Sequence, residues 1–374
     1  MKTFAALALL ALSGCIGTCD RTPPPPAPAA SASAPVASAV KPEAGPPPVD
    51  AAAVVDRGKT LYARYCDFCH GKDGRGYAAD EAPALASDDL LGIATDEYLR
   101  DAILKGRPGT TMSSWGLARG GPIGADDANA LVAFLRSWQT KPAAALEERK
   151  SEGDAARGAA LYEKQCAKCH GNKGSGGKYN ALSNHELLAE ASDAFLAASI
   201  ERGRRGTPMP AFGDKLSKKD VDDLIVAIRS WKGTPETDIE LPPKPGALKN
   251  VVLNPKGKQP DFPDGADFIK VDVVKAELDK GSAMIIVDAR APGDYALMHV
   301  AGAISVPFYM VEQYAKEIPK DRTILTYCAC PHAASVKARD ALRALGYKRV
   351  AVLDEGINVW RDRGYPVRGG GTKP

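Results

Sequence analysis

The sequence predicts a multidomain chain: two all-α domains followed by one α/β domain built on a parallel sheet. Three observations predict it. The stretch "CDFCH" at 66–70 returns as "CAKCH" at 166–170 inside two matching helical units; strand, helix and strand alternate over 269–366; and Pro-rich breaks set these blocks apart. At 374 residues the chain exceeds one ordinary core and suits two to four domains. Lys plus Arg is 49 against 46 for Asp plus Glu, so the charge gives no sign of nucleic-acid binding or of a strongly acidic substrate.

The first element is "MKTFAALALLALSGC", with one Lys, an apolar run from Phe4 to Leu12 and small residues before Cys15. That is the layout of a secretory signal peptide, assigned to 1–14. The run falls far short of the ~20 apolar residues of a spanning helix. "LSGC" resembles the bacterial lipobox, in which the cut precedes the cysteine and Cys15 is acylated. This implies a periplasmic, membrane-anchored lipoprotein; the alternative is ordinary cleavage nearby and a soluble periplasmic protein. Residues 15–51 hold the anchor cysteine and a Pro/Ala-rich tether with too little large apolar side chain to fold. Its stretch Thr22–Val49 can reach roughly 80 Å as polyproline.

The helical units come next, expected at 52–140 and 152–233. Arg57, Gly58, Leu61, Tyr62 and Cys66 recur at an offset of 100 as Arg157, Gly158, Leu161, Tyr162 and Cys166. Further on, "GRPGTTM" (106–112) maps to "GRRGTPM" (203–209), and "LVAFLRSW" (131–138) to "LIVAIRSW" (224–231). Asp56 and Asp154 are plausible N-caps for the opening helices. Leu131, Val132, Leu135 and Trp138, like Leu224, Ile225, Ile228 and Trp231, form the buried stripe of a closing helix.

Two cysteines, two spacers and a histidine suit zinc, disulfide exchange or covalent haem. Zinc needs four ligands, and each unit offers a pair and one adjacent His. A thioredoxin-like pair would sit in an α/β sheet, for which these units show no strand pattern. Covalent haem meets every constraint: Cys66 and Cys69, or Cys166 and Cys169, can bond the two vinyl groups of one porphyrin while His70 or His170 ligates iron. Met112 lies 42 residues after His70 and Met209 39 after His170, each following a Gly-Arg-x-Gly-Thr frame in a Gly/Pro-rich loop where core packing has little use for it. They are the candidate sixth ligands.

On these motifs both units resemble class I cytochrome c domains. The resemblance implies two covalently bound haem c groups, each six-coordinate and suited to electron transfer, with a C-terminal helix crossing the N-terminal one. His185 in "SNHELL" has no counterpart in the first unit and reads as an exposed helix-start residue. The cluster Arg202, Arg204, Arg205, Lys215, Lys218 and Lys219 reads as a solvated charged face, with docking of an acidic partner as the alternative.

A linker is expected at 234–264, then an α/β domain at 265–370. "AMIIVDAR" (283–290), "RTILTYC" (322–328) and "RVAVLDEG" (349–356) are apolar β-rich runs, and "VKARDALRALGY" (336–347) is an amphipathic helix. Cys328 closes a strand ahead of that helix, where loop amides and the helix N-terminus favour a thiolate. "DAR", Asp294-Tyr295, "HVAGAISVP" (299–307), the "YC" opening the loop and "VLDEGINVWRDRGYPV" (352–367) resemble the rhodanese family. Carried over, Cys328 is the sulfur-accepting nucleophile, residues 329–334 its cradle, and Asp288, Arg290 and His299 framework positions. The loop "CACPHAAS" departs from the family pattern: Pro331 stands where Gly is common, Ala333 where a basic residue often meets an anionic donor, and Cys330 adds a second thiol. His332 either restores the charge or is solvated. An inert loop on a docking module is the alternative to a sulfurtransferase.

The whole reads as a periplasmic dihaem cytochrome c that transfers electrons, fused to a rhodanese-like module carrying sulfane sulfur as a Cys persulfide. The expected partners are redox proteins of the periplasm or the membrane respiratory chain, a small sulfur compound as substrate and the membrane through the lipid anchor, with no nucleic acid. The alternative is a non-catalytic electron carrier or docking subunit.

Overall fold

The computed structural model describes residues 50–77, 81–234, 239–329 and 332–370. Cys15, the signal peptide, the tether before residue 50, Cys330 and Pro331 lie outside the described residues. Among the described residues no helix is long and apolar enough to cross a membrane.

Domain 1 comprises α1 (Ala51–Tyr65), α2 (Asp67–His70), α3 (Asp88–Leu91), α4 (Asp96–Lys105) and α5 (Ala125–Arg136). Domain 2 repeats them as α6 (Ala155–Gln165), α7 (Ala167–His170), α8 (His185–Glu190), α9 (Asp193–Arg202) and α10 (Lys218–Ser230). Asp154 caps α6 as the sequence suggests, accepting from the N–H groups of Ala156 and Arg157. Asp56 does not cap α1. The Ala-rich stretch before it is the best helix former available, so the helix runs back to Asp50, whose carboxylate accepts from the Ala52 N–H at 2.9 Å.

The first and last helices of each unit cross at a glycine. A Cβ on Gly58 would strike the Ala130 carbonyl and one on Gly158 the Asp223 carbonyl, so only Gly lets the helix axes approach this closely. The expected stripes of α5 and α10 face inward: Leu131 and Ile225 are buried, and Trp138 and Trp231 stand edge-on to Tyr62 and Tyr162 at 5.1 and 4.8 Å. The Arg of each "RSW" bolts the middle of its domain. Arg136 bonds Asp96 and the carbonyls of Leu91 and Ala94; Arg229 bonds Asp193 and the carbonyls of Leu188 and Ala191.

The two domains pack on each other through Tyr98 and Phe195, whose ring centroids are 4.7 Å apart. Arg204 donates to the Asp89 carbonyl at 2.8 Å, and Arg205 forks onto the Asp89 carboxylate. These two residues of the basic cluster are therefore interdomain staples, Arg204 half-buried and Arg205 still 69% exposed along its side chain. His185 does begin α8, but it is half-buried.

The C-terminal domain is built from β1 (Phe268–Ile269), α11 (Val271–Asp279), β2 (Met284–Asp288), α12 (Pro292–Leu297), β3 (His299–Val300), β4 (Ile304–Ser305), α13 (Val311–Tyr314), β5 (Thr323–Tyr327), α14 (Ala333–Ala344), β6 (Val350–Leu353), α15 (Gly356–Asp362) and β7 (Val367–Arg368). Five strands form a parallel sheet in the order β1-β6-β5-β2-β4, while β3 and β7 pair antiparallel beside it. Every residue of β2, β5 and β6 is buried, as the apolar runs require of a sheet covered on both faces. The segment before β1 lies on this domain: Leu253 bridges Met284, Tyr314 donates to the Pro243 carbonyl, and Leu248, Val251 and Val252 join the core.

Candidate functional site

Each Cys-x-x-Cys-His sits where its first helix breaks. At Cys66 and Cys166 the backbone leaves helical geometry (φ −122° and −121°) and re-forms one short turn that carries the second Cys and the His. Gly71 and Gly171, at φ +79° and +75°, then turn the chain away. Tyr62 and Tyr162 pin the turns by donating to the carbonyls of Gly71 and Gly171 at 2.7 and 3.0 Å.

The histidines are oriented alike. Nδ1 of His70 is 2.9 Å from the Pro83 carbonyl, and Nδ1 of His170 is 2.9 Å from that of Asn180. A carbonyl can only accept, so Nδ1 carries the proton and Nε2 presents a lone pair, the tautomer a metal-bound histidine needs. Burial lowers both imidazoles from their ordinary value, which keeps them neutral. The thiols move the other way: burial pushes Cys66 up to about 12 and Cys166 up to about 11. Among the described residues no three or more His, Cys, Asp and Glu side chains converge as a metal cluster.

The methionine loops repeat just as closely. The amides of Arg107 and Arg204 donate to the carbonyls of Met112 and Met209, each at 2.9 Å. The hydroxyls of Thr110 and Thr207 donate to the carbonyls of Arg107 and Arg204 at 2.7 Å, and accept from the amides of Met112 and Met209 at 3.1 and 3.2 Å. This explains the Gly-Arg-x-Gly-Thr frame: it closes the turn that presents the Met. Both donor sets fit a covalently held haem with His and Met at its iron.

In the third domain Cys328 follows β5 and is 1% exposed. Its Sγ lies 3.4 Å from the Ser335 hydroxyl in the first turn of α14, and its carbonyl accepts from the Ile357 amide at 3.0 Å. Of the expected cradle, residues 329 and 332–334 are described. His332 faces Phe268 and Asp354, with its ring centroid 4.6 Å from the phenyl and Nε2 3.7 Å from the carboxylate. The framework positions interlock. Arg290 forks onto Asp288 at 2.9 and 2.6 Å, Tyr327 donates to Asp288 at 2.7 Å, and His299 stacks on Tyr295 at 3.8 Å.

Sequence reasoning did not find how the third domain meets the first. Phe308 and Tyr309, just after β4, wedge against domain 1: Phe308 lies 5.6 Å from Phe68, within the first "CDFCH", and Tyr309 lies 5.7 Å from Tyr65, while both contact Trp115. Lys337 of α14 places its ammonium 4.3 Å from the Phe68 centroid. Asp294 is bonded by Ser113, next to Met112, and burial pushes its carboxyl up to about 6. An aromatic surplus in domain 1 was the available signal, since Tyr65 and Phe68 stand where domain 2 has Gln165 and Lys168.

Paired Cys-x-x-Cys-His turns with neutral histidines, each on a small helical fold with a presented Met, define a c-type cytochrome unit in duplicate; in the third domain a buried thiol stands at the end of a central parallel strand. Comparisons with known proteins agree. Residues 53–135 and 153–226 match the family model described as cytochrome C oxidase, cbb3-type, subunit III, and residues 270–363 match the rhodanese-like domain. The first two domains are thus cytochrome c domains similar to those of the cbb3-type model, and the third is a rhodanese-like domain. It carries covalently bound haem c, one group for each of the two cytochrome domains.

Among its relatives is the Cbb3-type cytochrome c oxidase subunit FixP of Bradyrhizobium diazoefficiens, 28% identical over 185 residues, covering 47% of this chain and 61% of the relative. The FixP of Azorhizobium caulinodans is 31% identical over 186 residues, covering 47% and 59%. The chain thus spans about three fifths of the cytochrome relatives it matches. A sulfurtransferase of Allochromatium vinosum is 34% identical over 84 residues, covering 22% of this chain and 78% of the relative. Of the solved structures, the BH2092 protein from Bacillus halodurans is 30% identical, covers 28% of this chain and 79% of its own, and has a TM-score of 0.27.

Proposed function

We propose that the chain is a dihaem electron carrier of the periplasm, anchored at Cys15, whose rhodanese-like domain carries sulfane sulfur on Cys328. Cys66 and Cys69 would hold the first haem through thioethers, with His70 and Met112 as its iron ligands; Cys166, Cys169, His170 and Met209 would do the same for the second. The observation that carries this reading is the Nδ1–carbonyl bond made by each histidine, which leaves Nε2 as an acceptor in both domains. The bound groups supply one-electron chemistry near a raised potential, since a thioether ligand favours the reduced iron. The chain's own work is to fix the imidazole tautomer, present each Met on its Thr-closed turn and keep water from the buried face.

At Cys328 the thiolate would attack the outer sulfur of a sulfane donor such as thiosulfate; the donor's S–S bond breaks, its electron pair leaves with the remainder of the donor (sulfite from thiosulfate), and Cys–S–S⁻ forms. The Ser335 hydroxyl and the N-terminus of α14 are placed to stabilise that charge. Respiratory-chain proteins are the proposed redox partners and a small sulfur compound the proposed substrate.

A second reading is favoured by one observation: the 1% exposure of Cys328 suits a docking module with no turnover. Sulfur transfer from thiosulfate to cyanide, assayed in wild type and Cys328→Ser, separates the two. Transfer that is lost in Cys328→Ser supports the sulfur carrier; no transfer above that variant supports the docking module.

A further inference from the structure

The two haem-type sites are nearly superimposable in their internal bonding, yet their outer faces differ. In domain 2 the turn ends in solvent: Gln165 and Lys168 are exposed. In domain 1 the corresponding residues are Tyr65, which is buried, and Phe68, which is half-buried, and both lie under the Phe308–Tyr309 wedge. The Met loop of domain 1 is covered by the same neighbour. A Cβ on Gly120 would press on Pro292, one on Gly293 would press on Arg119, and Ser113 bonds Asp294.

Into this contact α14 delivers one cation. The Lys337 ammonium lies 4.3 Å from the Phe68 centroid and 5.4 Å from that of Phe308. Burial lowers the Lys337 ammonium, while Asp67, Cys69 and Cys66 act on it in the opposite sense. It thus addresses the very turn that carries both cysteines of the first site. Two residues before it on the same helix, Ser335 touches the Cys328 sulfur at 3.4 Å. A single rigid helix therefore spans the first Cys-x-x-Cys-His turn and the candidate sulfur carrier.

We infer that the rhodanese-like domain is the built-in partner of the first haem site, and that Lys337 is the positioning residue through which it sets that site's reduction potential. This rests on the proposal that Cys66, Cys69 and His70 hold haem. Adding one electron to the ferric site removes one unit of positive charge, so a fixed cation beside the attachment turn stabilises the reduced form. Among the described residues of domain 2 the counterpart position holds Lys168, which is solvated and screened. The first site is internal and tied to α14; the second keeps its face open to proteins from outside. Coupling of this kind is reciprocal, so reduction of the first site favours the cationic Lys337 by the same free energy.

Spectroelectrochemical titration of the full-length dihaem protein tests this. Met112→His assigns the first site's component by removing its Met–iron band. In Lys337→Met the oxidised-to-reduced ratio of that component at fixed potential is expected to rise, roughly threefold to tenfold, with the other component unmoved. Lys337→Arg should restore the wild-type value, and Lys168→Met should leave the first component unchanged. Two unchanged midpoints in Lys337→Met, with two haems per chain, would overturn the inference; so would an equal shift of both. Should Lys337→Met not fold, Lys337→Gln carries the same test. A haem count below two would instead strike the underlying assignment of the cysteines.

Discussion

Domains 1 and 2 are copies whose interiors have been kept and whose exteriors have been reassigned. The helix-crossing glycines, the Tyr–carbonyl pins, the histidine Nδ1 bonds and the Thr-closed Met turns correspond one to one. What differs is the rim of the Cys-x-x-Cys-His turn: aromatic and covered by the third domain in the first copy, polar and bare in the second. The difference teaches that ligand geometry is a local matter, held by bonds inside about 30 residues of helix and loop, whereas what a site communicates with is decided by its outward residues.

The largest way to break the comparison is at the shared interior. Gly58→Ala and Gly158→Ala each force a methyl against a helix carbonyl, and each is expected to cost about 3 kcal/mol or more. Urea unfolding of either variant should show a comparable loss. A cost confined to one domain would mean that the crossings are not equivalent.

Next is a pH effect at the contact between the third domain and the first copy. Burial raises the folded Asp294 carboxyl to about 6 from an ordinary value of 3.8, so the folded state holds a proton that the unfolded chain has released. The associated stability is fully present below about pH 4 and is lost as pH rises through about 6. Asp294→Asn removes this loss. Its stability relative to wild type should improve by up to ~3 kcal/mol between pH 4 and pH 7, and a flat difference in denaturation midpoints would contradict the raised carboxyl. Pro210, the counterpart of Ser113, has no hydroxyl to bond a carboxyl, so no matching effect is expected in domain 2.

The wedge should be worth somewhat less. Phe308→Ala leaves a gap against Phe68 and Trp115 and is expected to cost about 2 kcal/mol or more. It should also raise hydrogen exchange in the Tyr65–His70 turn while leaving Gln165–His170 as it was. The smallest effect is Tyr309→Phe. The Tyr309 hydroxyl is buried with no hydrogen-bond partner among the described residues, so its removal should be neutral or stabilising by up to about 1 kcal/mol; a clear loss of stability would mean that the hydroxyl has a partner when haem is bound.

Much of this was legible in the sequence, because covalent haem attachment imposes fixed residue types at fixed spacing and a duplication displays them twice. Cys66, Cys69, His70 and their counterparts, the Met loops, the α5 and α10 stripes and the β2, β5 and β6 runs all carry that kind of local signal. The rest depends on contacts between distant segments. Phe308, Tyr309 and Lys337 look like ordinary loop and helix residues until the fold brings them to Phe68. Arg204 and Arg205 looked like a charged face until Asp89 was seen to receive them. The start of α1 slipped from Asp56 to Asp50 because the Ala-rich stretch between them carries no stop signal.

The measurement that tests the account most directly is the haem stoichiometry of the protein under denaturing conditions. Pyridine haemochrome titration should give two haems per chain that survive denaturing electrophoresis, falling to one when Cys66 and Cys69, or Cys166 and Cys169, are replaced by Ala. Haem that leaves on denaturation, or a count unchanged by either replacement, would contradict the assignment of these four cysteines.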